Sequence, residues 1–143
     1  MSRQDLERID DQGIAAWDDH HADGFADLLA EGFVWTDLTV PEPMRTRDQA
    51  RQYMQAWFTA FPDMRVTRTN RVVGDDSVAG EIEFTGTNTG PMRMAGRELP
   101  PTGRSVLGRG AYFARVSDGK ILQFSTHPDV AGMMVQMGLI PGT

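Results

Sequence analysis

Residues 46–62 read TRDQARQYMQAWFTAFP, and where this helix packs decides how the rest of the chain must fold. Thr46 followed three residues later by Gln49 forms a capping box, and Pro62 stops the helix. Between them Ala50, Tyr53, Met54, Trp57, Phe58 and Phe61 fall at i, i+3, i+4, i+7, i+8 and i+11, which is one wide apolar face. A face so rich in aromatic rings needs a broad surface to cover. The sequence after it supplies one: MRVTRTNRVV, a Gly74-Asp75-Asp76 turn, SVAGEIEFTGTN, a long loop from Thr89 to Gly103, SVLGRGAYFARV, a Ser117-Asp118-Gly119 turn and KILQFST. These runs read as strands joined by turns, and the length of the 89–103 loop suggests a mobile cover.

Upstream, residues 3–18 form a helix with Leu6, Ile9, Ile14 and Trp17 near helical spacing. DDHHADG breaks it, a second short helix turns Phe25, Leu28 and Leu29 inward, and GFVWTDL is a strand ended by the VPEP loop. The order is helix, helix, strand, helix, four strands, helix. This predicts a single α+β domain over residues 1–143, with a bent, mostly antiparallel sheet and helices on one face. If the sheet curls without closing, a cone-shaped cavity remains under helix 46–61. Such cavities are largely apolar with a few placed polar groups.

The chain has 143 residues, a formal charge of −6 and no cysteine. No basic stripe gathers on one face, so nucleic acid is not an expected partner. The missing thiols exclude disulfides and a cysteine nucleophile and fit a reducing compartment. MSRQDLERIDD lacks the apolar run of a signal peptide, and no apolar stretch approaches the ~20 residues that span a bilayer. The expectation is a soluble cytoplasmic protein with no membrane partner. His20 and His21 stand among Asp18, Asp19 and Asp23, but no third ligand lies at metal spacing. They read as a solvated loop, and no metal site is expected.

Five segments carry a resemblance: AFPDMRV (60–66), GDDSVAGEIEFTGTNTG (74–90), LPPTGRSV (99–106), RVSDGKI (115–121) and HPDVAGMMVQMG (127–138). In this order, and with the element order above, they resemble the SnoaL-like polyketide cyclases of the nuclear transport factor 2-like superfold. The resemblance implies a cone-shaped fold and cofactor-independent intramolecular aldol ring closure of an aromatic polyketide ester, the chemistry of antibiotic biosynthesis. It also implies an apolar polycyclic substrate and a homodimer or higher homo-oligomer. The same superfold hosts cofactor-free hydroxylases, isomerases, hydrolases and non-catalytic binding domains, so the chemistry has to be read from the site.

Ring closure needs one carbon acid deprotonated and one carbonyl oxygen protonated, work for a carboxyl group in an apolar surround. In the cyclases the matching acid is Asp129, although a cap for the last helix explains it equally well. Asp37 is the second candidate acid, because strand alternation puts it on one face with Trp35, opposite Val34. It matches the acid of steroid isomerases on this superfold. That family's oxyanion donors fall at Gly13 and at or near Ala111 here, so isomerase activity is not expected. His127 stands two residues before Asp129 and is a candidate proton relay or a histidine bonded to backbone. Arg109 and Tyr112 point to opposite strand faces, so at most one faces a cavity. Asn88 is a candidate donor to a carbonyl. Trp35, Tyr53, Trp57 and Phe61, with Met92 and Met94 from the loop, are the expected walls for a flat ligand. The deciding question is whether Asp37 and Asp129 converge on one apolar hollow.

Overall fold

The computed structural model describes residues 1–94 and 96–142. Helix α1 (Arg3–Asp18) starts at Ser2, whose hydroxyl accepts the Asp5 N–H while Asp5 returns to the Ser2 N–H. A short α2 (Ala22–Ala26) leads into β1 (Leu29–Asp37). Helix α3 (Arg47–Ala60) carries the expected Thr46–Gln49 capping box, with both reciprocal hydrogen bonds formed. Strands β2 (Arg65–Val73), β3 (Ser77–Thr87), β4 (Met92–Met94), β5 (Arg97–Leu99), β6 (Ser105–Ser117) and β7 (Lys120–Pro128) follow, and α4 (Val130–Gln136) closes the order. Among the described residues no helix is long and apolar enough to cross a membrane.

The main sheet has the order β1-β7-β6-β3-β2, antiparallel except for the parallel β1–β7 pair. Register shifts interrupt β1, β2 and the β6–β7 pair, and irregularities of this kind bend a sheet. The sheet therefore curls around α1 and α3 without closing. The core between them is built from Leu6, Phe25, Leu29, Trp35, Met54 and Phe61 with their neighbours. Beyond the end of β7, the β6 edge is met by a side chain: Gln136 of α4 accepts the Leu107 N–H at 2.7 Å and donates to the Leu107 carbonyl at 2.9 Å. The last helix is thereby pinned to the sheet.

The expected long loop differs. Among the described residues six strands follow α3, not four, because Met92–Met94 and Arg97–Leu99 of the expected loop pair as β4 and β5, with Met92 opposite Leu99 and Arg93 opposite Glu98. Strands of three residues are too short to leave a readable alternation. The segment is anchored by Asn88, which is only 1% exposed. Its amide donates to the carbonyls of Ala60 (3.1 Å) and Gly90 (3.0 Å), and its oxygen accepts the Thr102 N–H (2.8 Å) and hydroxyl (2.9 Å). All donors and acceptors of the side chain are thus used. One amide proton is donated to the Ala60 carbonyl, at the end of α3, which no helical N–H reaches. Asn88→Ala leaves several of these groups buried without partners, and urea unfolding is expected to show a loss of at least about 2 kcal/mol. A loss below about 0.5 kcal/mol would contradict the latch.

Candidate active site

Strand β1 alternates as expected, so Phe33, Trp35 and Asp37 face inward. Asp37 is the last residue of the strand and only 7% exposed. Its Oδ1 accepts the backbone N–H of Thr39 at 2.7 Å and the Thr39 hydroxyl at 2.5 Å. Its Oδ2 accepts the Tyr53 hydroxyl of α3 at 2.6 Å and the Thr126 hydroxyl of β7. Thr126 in turn accepts the indole N–H of Trp35 at 2.9 Å. A directed chain runs from Trp35 through Thr126 to the carboxylate. Burial, then the negative charge of Asp37 and the bond to it, push the Tyr53 phenol well above its ordinary pKa.

Asp37, Tyr53 and Thr126 lie on the wall of a cavity of about 110 Å³ between α1, α3 and the sheet. Its middle is apolar, formed by Ile14, Trp17, Trp57, Ile82, Phe84 and Phe124. A second hollow of about 180 Å³ lies on the other side of Tyr53 and Trp57, under the β4–β5 hairpin, and includes Thr39, Met92, Arg93 and Met94. Tyr53 and Trp57 line both and partition them.

The same cavity holds a second acid that the sequence reading missed. Asp10 of α1 is 5% exposed, and its carboxylate accepts the Tyr112 hydroxyl at 2.5 Å and Arg68 Nη1 at 2.7 Å. Arg68 and Arg71 also pair with Asp11, and Arg71 with Glu7, at the surface. Burial and the hydrogen bond to Asp10 raise the Tyr112 pKa. A signal existed in the sequence: Asp10 lies between Leu6, Ile9 and Gly13 on the buried stripe of α1.

The other candidates divide cleanly. Tyr53, Trp57 and Tyr112 line the main cavity, whereas Met92 and Met94 line the second hollow. Trp35 and Phe61 are fully buried behind the lining: Trp35 orients Thr126, and Phe61 stacks on Trp57 with ring centroids 6.2 Å apart. Asn88 is the latch described above and does not border either hollow. Arg109 is exposed on the outer sheet face near Glu83, as expected for the partner of an inward Tyr112. His127 borders the cavity mouth, yet its exposed imidazole contacts Ser125 Oγ at 3.2 Å and meets the exposed Phe113 edge-on. Strand alternation carries that ring outward while Thr126 turns in. Of the two roles left open for Asp129, the structure shows the cap: the exposed carboxylate accepts the Gly132 N–H at 2.9 Å and lies outside the cavity. Asp37 and Asp129 do not converge. His20 is not a solvated loop residue either, since it stacks on Phe58 and contacts the Met64 carbonyl at 2.7 Å.

The model of the SnoaL-like polyketide cyclase family matches residues 7–137. Among solved structures, AclR from Streptomyces galilaeus, named as a candidate hydroxylase, superposes with a TM-score of 0.84 at 22% identity, covering 99% of this chain and 86% of that one. IdmH from Streptomyces antibioticus, named as a candidate polyketide cyclase, gives 0.75 at 25% identity over 93% of this chain and 98% of its own. TsrD from Streptomyces laurentii gives 0.82 at 20% identity over 98% and 99%. No curated protein matches the chain by sequence.

Both tyrosines of the chain, Tyr53 and Tyr112, carry raised pKa values. In the unfolded chain their phenols ionise near pH 10, whereas in the fold they keep their protons. Their contribution to stability is therefore complete below about pH 10 and is lost as pH rises above it. An alkaline titration followed at 295 nm is expected to show no tyrosinate until the protein unfolds. A smooth transition near pH 10 with the fold intact would contradict the site geometry.

Proposed function

The chain belongs to the SnoaL-like polyketide cyclase family, and from that premise we propose that it closes a ring in an aromatic polyketide ester by intramolecular aldol addition, with Asp37 as the acid/base. The observation that carries this reading is a buried carboxylate on the wall of an apolar cavity, with a protonated phenol 2.6 Å away. The carboxylate takes the proton from the carbon beside the ester carbonyl. As negative charge moves to the ester oxygen, the Tyr53 O–H turns from Asp37 to that oxygen and donates to it. The enolate carbon bonds to the carbon of a ketone held in the same molecule. The ketone oxygen receives the proton back from Asp37 and becomes an alcohol. One C–C bond forms, one proton moves from carbon to oxygen, and nothing is lost. The substrate's own carbonyls supply the acidity and the electron sink.

The apolar middle of the cavity serves the flat ring system and excludes water from the enolate. Asp129 has no part in this step, since its cap role leaves it in solvent. The outer sheet face exposes Phe113 (58%), Leu107 (43%) and Val72 (61%) beside Arg109 and Glu83. A second copy of the chain covering this face accounts for such a patch.

The test uses a naphthalene carrying an acetic acid methyl ester beside a 1,3-diketone chain, with ring closure followed by absorbance and product mass. Asp37→Asn is expected to lower turnover at least about 100-fold while circular dichroism shows the fold retained. Asp129→Asn keeps a good helix cap and is expected to stay within about threefold of the parent. Full activity in Asp37→Asn, or its loss in Asp129→Asn alone, would overturn the assignment.

A further inference from the structure

The cavity has a second polar pole that the ring-closing step does not use. Cross-strand register places it. Asp37 pairs with Thr126, Thr126 with Tyr112, and Tyr112 with Gly80, a straight row across β1, β7, β6 and β3. Residues directly opposite in a sheet project from the same face, so the row lies along the cavity floor. The ring of Tyr112 lies over Gly80, where any Cβ would collide with its ring and hydroxyl. The hydroxyl thus reaches over β3 while Asp37 stands on β1. Three interstrand steps of ~4.8 Å separate these strands by roughly 14 Å. The span between them is apolar, set by Ile14, Trp17, Ile82 and Phe124.

The hydrogen-bond accounting at this far pole is one-sided. The Tyr112 proton is committed to Asp10 Oδ1, and Asp10 Oδ2 is taken by Arg68. A tyrosine hydroxyl has one proton, and a carboxylate has none. What Tyr112 and Asp10 offer the cavity is therefore lone pairs alone. Arg68, which has protons to give, does not line the cavity. We propose that the Tyr112–Asp10 pair is the binding subsite for a hydroxyl group at the distal end of the substrate, which fixes the substrate class as a fused-ring scaffold bearing a phenol there. A ketone, quinone or ether oxygen at that end meets lone pair against lone pair and loses its hydration without return. The proposal rests on the reading of this cavity as the substrate site. It adds an orientation: phenol towards Tyr112, reacting ester towards Tyr53.

Calorimetric titration of unreactive probes tests the subsite apart from catalysis. For the unaltered protein, 2-naphthol is expected to bind about tenfold more tightly than 2-methoxynaphthalene, the ratio expected for one hydrogen bond to a charge-assisted acceptor. Tyr112→Phe is expected to reduce that ratio to about threefold or less. Asp10→Asn gives a sharper outcome. Arg68 holds the amide oxygen, the NH2 turns to the Tyr112 oxygen, and the tyrosine proton is freed to face the cavity. The preference is then expected to reverse in favour of the methoxy compound. If both variants keep the parent ratio, or if Asp37→Asn alone erases it, the distal subsite is overturned while the cavity reading stands. If neither probe binds the unaltered protein, both are overturned.

Discussion

A carboxylate taken out of water has to find donors, and Asp37 finds four: the Thr39 N–H, the Thr39 hydroxyl, the Tyr53 phenol and the Thr126 hydroxyl. A buried charge lacking such partners costs several kcal/mol. These bonds therefore fix more than one residue. They tie the end of β1 to the loop that follows it, to the middle of α3 and to β7. The gap between helix and sheet is set at this point, and the cavity opens from it. Trp35 adds direction, because its N–H occupies Thr126 from behind and leaves the threonine proton for Asp37.

The aromatic face of α3 does two jobs at once, and burial separates them. Met54, Phe58 and Phe61 fill the core, whereas Tyr53 and Trp57 stand at the partition between two hollows. Phe61 stacked behind Trp57 resists its movement. Because side chains from α1 reach the same space, one cavity acquires two polar ends. One is Asp37 with a protonated phenol. The other is Asp10, held by Tyr112 and a surface arginine network. An apolar span lies between them. Ligands with oxygen at both ends and rings between match that pattern.

Much of this was legible in the sequence, for physical reasons that differ by residue. The helix at 47–60 announced itself through a capping box and twelve residues, 50–61, of 3.6-residue periodicity, and Asp37 through simple alternation after Trp35. The opposition of Arg109 and Tyr112 followed from the same two-residue period. Asp10 did not stand out, because its burial depends on Arg68 and Tyr112, which lie 58 and 102 positions away. The β4–β5 hairpin was hidden by its three-residue strands. For Asp129, local sequence suits a cap and a catalytic acid alike, and only the position of the helix start relative to the cavity separates them. Asn88 shows the same ambiguity: an amide that suits a ligand carbonyl suits the backbone carbonyls of Ala60 and Gly90 equally well.

The proposed reaction requires its substrate to sit in the hollow beside Asp37. A crystal structure of the complex with methyl 6-hydroxy-2-naphthoate tests it most directly. The naphthalene is expected between α3 and the sheet, with an ester oxygen within hydrogen-bond reach of Tyr53 and the hydroxyl turned towards Tyr112. A ligand seated only on the outer sheet face, or at the Asp129 end of α4 with the inner cavity unoccupied, would contradict it.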